Sequence, residues 1–288
     1  MTHRPSPSAG RLPEFLVIGA MKSGTTSLDR YLRSHPRIAM PMRDVDFFSR
    51  HYERGLDWYT ARWPTRDEPT TVRGETSVSY TMYPHFDRVP ERIHRHVPAA
   101  KLIYVVRHPI ERIVSHYLHK IYANEERRSF ERVLAEERDD GPYLALSRYG
   151  LQLERYLDVF DRAQILVVPV DRLRALDQRF TTLQEIFAFL GVERTSDPQA
   201  FARVEHRTSQ KGIKPGWARR LAQLPLYGAL ARRTPRRLRE LYARTVSRPV
   251  AAPQLDDAAR TRLTARLAPD VARLDQLTGQ SFAALWGL

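Results

Sequence analysis

The residues with the clearest chemical pattern lie near the N-terminus, in FLVIGAMKSGTTSL at residues 15–28. The apolar start predicts a buried strand, and a helix opens at Thr25 or Thr26 after a loop that contains Gly19 and Gly24. Small residues let a backbone approach a ligand, and the amides at a helix N-terminus attract anions. The segment therefore predicts a site for a phosphate-like anion. The residues expected to contact that anion are Lys22, Ser23, Gly24, Thr25, Thr26 and Ser27.

A second strand, turn and helix pattern follows in YVVRHPIERIVSHYLH at residues 104–119. Arg107 ends an apolar run, Pro109 marks a helix start, and Ser115 lies eight residues beyond Arg107. A guanidinium can hold a phosphate through two parallel hydrogen bonds, and a serine hydroxyl can donate to another phosphate oxygen. Both patterns place their polar residues at the C-terminal end of a strand, where open parallel sheets bind ligands.

The first segment differs from the Walker A loop, G-x-x-x-x-G-K-[ST], because Lys22 precedes Gly24 instead of following it. It resembles the K-[ST]-G-T-[ST] loop of the sulfotransferase superfamily, and Arg107 with Ser115 resemble that family's 3′-phosphate motif. The resemblance implies that the two segments bind the 5′ and 3′ ends of 3′-phosphoadenosine 5′-phosphosulfate (PAPS). It extends over nearly the whole chain, from about Phe15 to Trp286.

Further segments extend the resemblance. Residues 43–59 and 73–84 are similar to the K-E-x-H-F-F…H-Y-x-x-G-L-x-W-Y and G-E-K-[ST]-x-x-Y segments of heparan-sulfate-type sulfotransferases. Residues 148–173 match the family's helix, strand and D-R-L turn, and residues 267–286 resemble the C-terminal helix of bacterial members. The resemblance therefore predicts a bacterial enzyme similar to carbohydrate sulfotransferases.

The resemblance also assigns catalytic roles. Lys22 is expected to neutralise the bridging oxygen as the sulfur–oxygen bond breaks, and the alternative is that it anchors only the bound ground state. Asp44 aligns with the family's glutamate and is the candidate general base. Its alternative roles are a helix cap or an ion-pair partner of Arg43 or Arg107. His51 is the next candidate base.

Acceptor-site residues follow from the same alignment. Asp46 aligns with the family's histidine, and two carboxylates at i and i+2 of an extended segment, here Asp44 and Asp46, would point the same way and raise each other's pKa. Glu75 and Tyr80 match the acceptor segment, but Thr76 replaces its lysine, which weakens the case for a sulfated glycosaminoglycan acceptor. A late loop resembles the K-G loop that closes on the cofactor's phosphates, although a basic surface loop is the alternative. Its residues are Arg207, Lys211 and Gly212.

Strands alternate with helices along the chain, which predicts an α/β, P-loop-like three-layer fold with a central parallel sheet flanked by helices. The expected extended segments are 15–20, 71–76, 101–107 and 164–169. The expected helices are 25–34, 55–62, 86–97, 109–124, 129–138, 148–160 and 178–190. We expect residues 1–13 to form a disordered leader and 14–288 a single sulfotransferase domain, with a helical tail over about 217–288.

Composition narrows the class of protein. No apolar stretch approaches the ~18 to 20 residues of a membrane span, and the N-terminus lacks the apolar region of a secretory signal. The chain has no cysteine, which excludes disulfides, cysteine-ligated zinc and thiol catalysis. No cluster of metal-ligand residues stands out, so we expect no metal cofactor. These features favour a cytoplasmic protein.

The net charge of +14 favours an anionic ligand, and PAPS is one. The charge also fits a non-enzymatic protein that binds nucleic acid. A P-loop nucleotide kinase is another alternative, but it would need the lysine after Gly24 and an acidic magnesium ligand at the end of a strand. We do not expect nucleic acid, because the aromatic residues lie within apolar patterns and not on a stacking surface. The expected acceptor is a carbohydrate or glycoconjugate. The alternatives are a glycolipid at a membrane surface, a phenol or another secondary metabolite, and a peptide tyrosine.

Overall fold

The computed structural model describes residues 11–63, 71–193 and 251–288. Within them, five parallel strands form one sheet in the order β2-β3-β1-β4-β5. The strands are β1 (Phe15–Gly19), β2 (Ile38–Ala39), β3 (Val72–Thr76), β4 (Lys101–Val106) and β5 (Ile165–Pro169). The predicted parallel sheet is confirmed.

Helices cover both faces of the sheet, because both faces of its central strands are apolar. Leu16 and Ile18 of β1 belong to one buried cluster, which also contains Val271 and Leu274 from the C-terminal part of the chain. Phe15 and Val17 point to the other face, into a cluster with residues of the helices that follow β1 and β5. This alternation of burial gives the predicted three layers.

Eleven α-helices lie in the described part of the chain. They are α1 (Thr25–Ser34), α2 (Phe47–Arg50), α3 (Gly55–Thr60), α4 (Val89–His96), α5 (Pro109–Ala123), α6 (Phe130–Glu136), α7 (Tyr149–Leu157), α8 (Val170–Arg174), α9 (Leu176–Leu190), α10 (Asp257–Thr278) and α11 (Phe282–Trp286). No helix in these residues is both long and apolar enough to cross a membrane.

The predicted helices and strands are present, with shifts of a few residues at their ends. Three short elements were not predicted: β2, α2 and α8. Most of the predicted leader, at residues 1–10, and the first part of the predicted tail, at 217–250, lie outside the described residues. The later part of the tail forms α10, which packs against α7 and the core.

Candidate active site

The first anion-binding loop joins β1 to α1. Lys22 and Gly24 adopt left-handed backbone conformations, with φ values of 71° and 87°. Gly24 is the N-cap of α1, and a Cβ there would lie 2.5 Å from Val170 Cγ2, so only glycine fits without rearrangement. Within the described chain, no side chain caps α1 and no acidic residue lies in its first turn. The helix N-terminus is therefore arranged to receive an external anion.

Ser23 takes a different position from its neighbours. Its side chain is fully buried beneath the loop, and its backbone N–H donates to the Ala20 carbonyl at 3.1 Å. The structure therefore does not bring the Ser23 hydroxyl to the cleft that the loop borders. The other predicted loop contacts do line that cleft: Lys22, Gly24, Thr25, Thr26 and Ser27.

The second loop, between β4 and α5, faces the same cleft through Arg107 and Ser115. The Arg107 guanidinium donates to Glu111 Oε2 from Nε (2.9 Å) and Nη2 (2.7 Å), and Nη1 lies 3.5 Å from the Lys22 carbonyl oxygen. His108 caps α5 by accepting a hydrogen bond from the Ile110 amide. The two loops are thus in direct contact.

Glu111 holds the Arg107 guanidinium in position. Burial acts to raise the pKa of Glu111, but the hydrogen bonds and charge of Arg107 outweigh it, so the pKa lies below its ordinary value. Glu111 is therefore ionised at neutral pH. An incoming phosphate must compete with this carboxylate for Arg107, or bind on the other edge of the guanidinium.

The cleft between the loops has a volume of about 1340 Å³. Among the described residues, five cationic side chains line it, against two carboxylates, Asp44 and Glu111. The cations are Lys22, Arg43, Arg107, Arg174 and Arg260. Apolar side chains also line the cleft, among them Ile110, Val114, Leu118, Leu173 and Leu255. A cationic cleft that also has an apolar lining suits a ligand that combines phosphate groups with an aromatic base.

Arg43 connects the first loop to the candidate base. Its Nη1 donates to Thr26 Oγ1 at 2.7 Å, and its Nη2 lies 3.8 Å from Asp44 Oδ1. Its Nε lies 3.9 Å from the buried Asp29. Arg43 therefore places positive charge between α1 and the Asp44 carboxylate.

Asp44 lines the cleft with about half of its side chain exposed. Its backbone amide donates to the Thr76 carbonyl at 2.8 Å, which fixes it at the C-terminal end of β3. The pKa of Asp44 is raised, chiefly by burial and also by the charge of Asp46, while Arg43 opposes the shift. A carboxylate with a raised pKa is a stronger proton acceptor, as a general base requires.

The expected extended conformation of this segment is wrong. Asp44 and Asp46 both adopt left-handed backbone conformations, with φ values of 56° and 53°. Asp46 is the N-cap of α2, where its carboxylate accepts from Ser79 Oγ at 2.6 Å and lies 3.3 Å from Arg50 Nε. Asp46 therefore supports the turn and does not line the cleft, although its charge still acts on Asp44.

His51, the second candidate base, also lies away from the cleft lining. It is the C-cap of α2, and its ring packs 5.0 Å from the Trp58 ring, measured between centroids. The structure therefore packs the His51 ring against Trp58 instead of placing it in the cleft lining.

Glu75 and Tyr80, the predicted acceptor contacts, form a buried cluster with Tyr59. The Glu75 carboxylate is fully buried and accepts from the Tyr59 hydroxyl at 2.9 Å and from the Tyr80 hydroxyl. Burial raises the pKa of Glu75 to about 7, although hydrogen bonds from Tyr80, Tyr59 and Ser77 oppose the shift. These side chains lie behind the cleft and do not line it.

The remaining predicted contacts, Arg207, Lys211 and Gly212, lie outside the described residues. Several cleft residues were not predicted. Glu111 could have been found, because Arg107, Glu111 and Ser115 are spaced by four residues. Arg174 and Arg260 come from distant parts of the chain and carry no local signal. No group of three metal-ligand side chains occurs within the described residues.

Comparison with known proteins agrees with this geometry. The sequence pattern of the sulfotransferase domain family matches residues 12–230. The human bifunctional heparan sulfate N-deacetylase/N-sulfotransferase 3 is 33% identical over 202 residues, covering 63% of this chain and 22% of that protein. The human heparan sulfate glucosamine 3-O-sulfotransferase 6 is 32% identical over 202 residues, covering 68% of this chain and 57% of that protein. The chain thus spans much less than the full length of either relative.

The fold gives the same result. A sulfotransferase from Alicyclobacillus acidocaldarius superposes with a TM-score of 0.69 at 26% identity, over 96% of this chain and 100% of that chain. The family match covers both anion-binding loops and all five strands. On these grounds the chain belongs to the sulfotransferase domain family.

Proposed function

We propose that this chain transfers a sulfuryl group from PAPS to a hydroxyl or amine of a carbohydrate or glycoconjugate acceptor. One observation carries the proposal: two anion-binding loops, at the ends of the adjacent strands β1 and β4, border a single cationic cleft. A ligand with a phosphate group at each of two positions would engage both loops. PAPS, when bound, supplies a sulfuryl group already activated by a phosphate leaving group.

The residues at the first loop would stabilise the charge that develops on the leaving group. Lys22 and the α1 N-terminus present positive charge at one end of the cleft, beside the hydroxyls of Thr25 and Thr26. Arg107 and Ser115 would hold the 3′-phosphate. Because these groups are fixed before the reaction, little reorganisation is needed when charge moves to the leaving oxygen.

Asp44 would accept the acceptor's proton at its carboxylate. It is the one cleft carboxylate, among the described residues, that is not engaged with Arg107, and it is half-exposed to the cleft. Its raised pKa makes it a stronger proton acceptor than an ordinary aspartate. Arg43, 3.8 Å away, would stabilise the ionised form before the proton arrives.

The carbohydrate acceptor is supported by the segments at 43–59 and 73–84 and by the names of the relatives, which act on heparan sulfate. Thr76 is fully buried at the end of β3, so its position adds no cation to an acceptor site. This favours an acceptor that carries no dense sulfation where it would approach residue 76. A phenolic acceptor is the alternative. Transfer of labelled sulfate to neutral saccharides, sulfated saccharides and phenols would separate these classes.

The cofactor is tested by ligand selectivity. The chain should bind 3′-phosphoadenosine 5′-phosphate (PAP) well above AMP, because only PAP engages Arg107 and Ser115. Arg107→Ala should cost about 2 to 5 kcal/mol in PAP binding and little in AMP binding. Calorimetry with PAP, AMP and ATP measures this directly. Equal affinity for PAP and AMP would contradict the proposal, and preference for ATP would indicate a nucleotide kinase.

A further inference from the structure

A group of buried hydroxyls lies beneath the first anion-binding loop. Ser23, Tyr104 and Tyr149 are fully buried, and none of their hydroxyls has a hydrogen-bond partner of normal geometry among the described residues. Burying a hydroxyl without a partner costs free energy, so native proteins rarely collect such groups without a reason. Their position directly below a ligand-binding loop suggests a role in that loop.

Tyr149 occupies the central position in this group. Its hydroxyl lies beside the Ser23 hydroxyl and the Arg107 backbone amide. Its ring packs edge-on against Tyr104 and tilted against Trp286, with centroids 6.0 Å away in each case. Burial raises the pKa of Tyr149, although the nearby Arg112 opposes the shift, so the hydroxyl stays protonated and can donate.

Tyr149 therefore touches both anion-binding loops from below, since Ser23 belongs to the first and Arg107 begins the second. A second link joins the loops from above, where Arg107 Nη1 approaches the Lys22 carbonyl. The upper link uses the same guanidinium that would bind a phosphate. The lower link, at the Tyr149 hydroxyl, involves only the backbone of Arg107. A ligand can therefore bind the guanidinium without breaking this lower link.

We propose that Tyr149 is a positioning residue that fixes the distance between the two anion-binding loops. The inference rests on the proposed function, in which one ligand carries a phosphate group to each loop. A ligand held at two points gains from a fixed spacing, because the second contact forms without further ordering. A ligand held at one point gains nothing from that spacing.

The test compares ligands with one and two anchoring phosphates. Tyr149→Phe removes the hydroxyl and keeps the ring that packs against Tyr104 and Trp286. We expect its affinity for PAP to fall about fivefold to tenfold, because the hydroxyl that lies beside both Ser23 and the Arg107 amide is lost and no longer holds the spacing of the two loops. The affinities for AMP and for adenosine 3′-phosphate should change by less than about twofold. Calorimetry gives all three constants.

Two more variants complete the design. Tyr104→Phe is the matched control, because its equally buried hydroxyl lies beside Thr81 and not beside Ser23 or the Arg107 amide, so PAP affinity should hold. Ser23→Ala should reproduce the selective loss, and the double variant with Tyr149→Phe should lose no more than either single variant.

An equal loss for all three ligands in Tyr149→Phe would mean general damage to the first loop and would overturn the positioning role. An unchanged PAP affinity would overturn it as well. A wild-type chain that does not prefer PAP to AMP would overturn the proposed function itself, and this role with it. The wild-type measurement thus separates the two failures.

Discussion

At the scale of single residues, the proposed catalytic cation is Lys22, whose backbone is held in the left-handed region within the first loop. Lys22→Ala should lower kcat more than it weakens PAP binding, because its charge matters most when the leaving oxygen becomes anionic. Steady-state kinetics together with PAP calorimetry would measure both. Lys22→Arg keeps the charge and serves as the comparison. A change in the KM for PAPS alone would make Lys22 a ground-state anchor.

Asp44 carries the second residue-scale prediction. Asp44→Asn keeps the shape of the side chain and removes its basicity, so kcat should fall about 10²- to 10⁴-fold while PAP affinity barely changes. The carboxylate of Asp44 must be ionised to accept a proton, and its pKa is raised. The acidic limb of the wild-type kcat/KM profile should therefore lie at a higher pH than an ordinary aspartate would give.

The comparison variant for Asp44 is Asp46→Asn, which changes the neighbouring carboxylate that the structure places outside the cleft lining. Removing that charge should move the acidic limb of the profile to lower pH, because Asp46 raises the pKa of Asp44. Near-full turnover in Asp44→Asn would show that the base lies elsewhere or that the acceptor is acidic enough to need none.

At the scale of elements, the cleft depends on how the Asp44 segment is fastened to the end of β3. The Asp46 amide donates to Ser77 Oγ at 3.0 Å, and the Phe48 amide to the Tyr80 hydroxyl at 3.3 Å. Glu75 holds Tyr80 from within the core. Glu75 and Tyr80, predicted as acceptor contacts, therefore act in this structure as the support on which the Asp44 segment rests.

This support makes stability depend on pH. The pKa of Glu75 is about 7 in the folded protein, against 4.5 for an ordinary glutamate. Between pH 4.5 and about 7, the native state therefore binds more protons than the unfolded state. The free energy of unfolding falls as the pH rises through this range. Glu75→Gln should remove about 3 kcal/mol of this pH dependence.

Urea unfolding at pH 5 and pH 8 would measure the effect, with the exposed Glu53→Gln as the control. The difference in unfolding free energy between the two pH values should shrink in Glu75→Gln and stay as in wild type in Glu53→Gln. The same pH dependence in Glu75→Gln and wild type would show that another group titrates.

The sequence predicted the elements better than the turns between them. Apolar runs fix β1, β4 and β5, because a strand buried on both faces needs an unbroken apolar segment. The two-residue β2 and the four-residue α2 are too short to leave a periodic pattern. The left-handed turn at Asp44 and Asp46 depends on contacts with β3, which no local pattern reveals. The predicted i and i+2 geometry was wrong for that reason.

At the scale of the whole molecule, the sheet order explains why the two loops meet. After β1 the chain crosses to β2 at one edge of the sheet and returns to β3, whereas after β4 it continues to β5 on the other side. The order therefore reverses between β1 and β4, and a crevice opens where such a reversal occurs. Sequence alone predicted parallel strands and a loop at each strand end. The adjacency of β1 and β4, and the arrival of Arg260 from α10, required the structure.

Charge also acts at this scale, since the chain carries a net +14 and its cleft is cationic. We expect the association rate of PAP to fall steeply with added salt, because the screening length shrinks from about 10 Å at 0.1 M to about 3 Å at 1 M. Stopped-flow binding over this range of sodium chloride measures the rate.

Two single-charge variants separate steering at the cleft from the effect of net charge. Arg260→Gln removes a cation that lines the cleft, while Arg11→Gln removes one that precedes the N-terminal end of β1 and does not line the cleft. Both lower the net charge equally, but only Arg260→Gln should slow association, by about twofold at low salt, and flatten its salt dependence. Equal effects in the two variants would show that net charge alone governs capture of the anion.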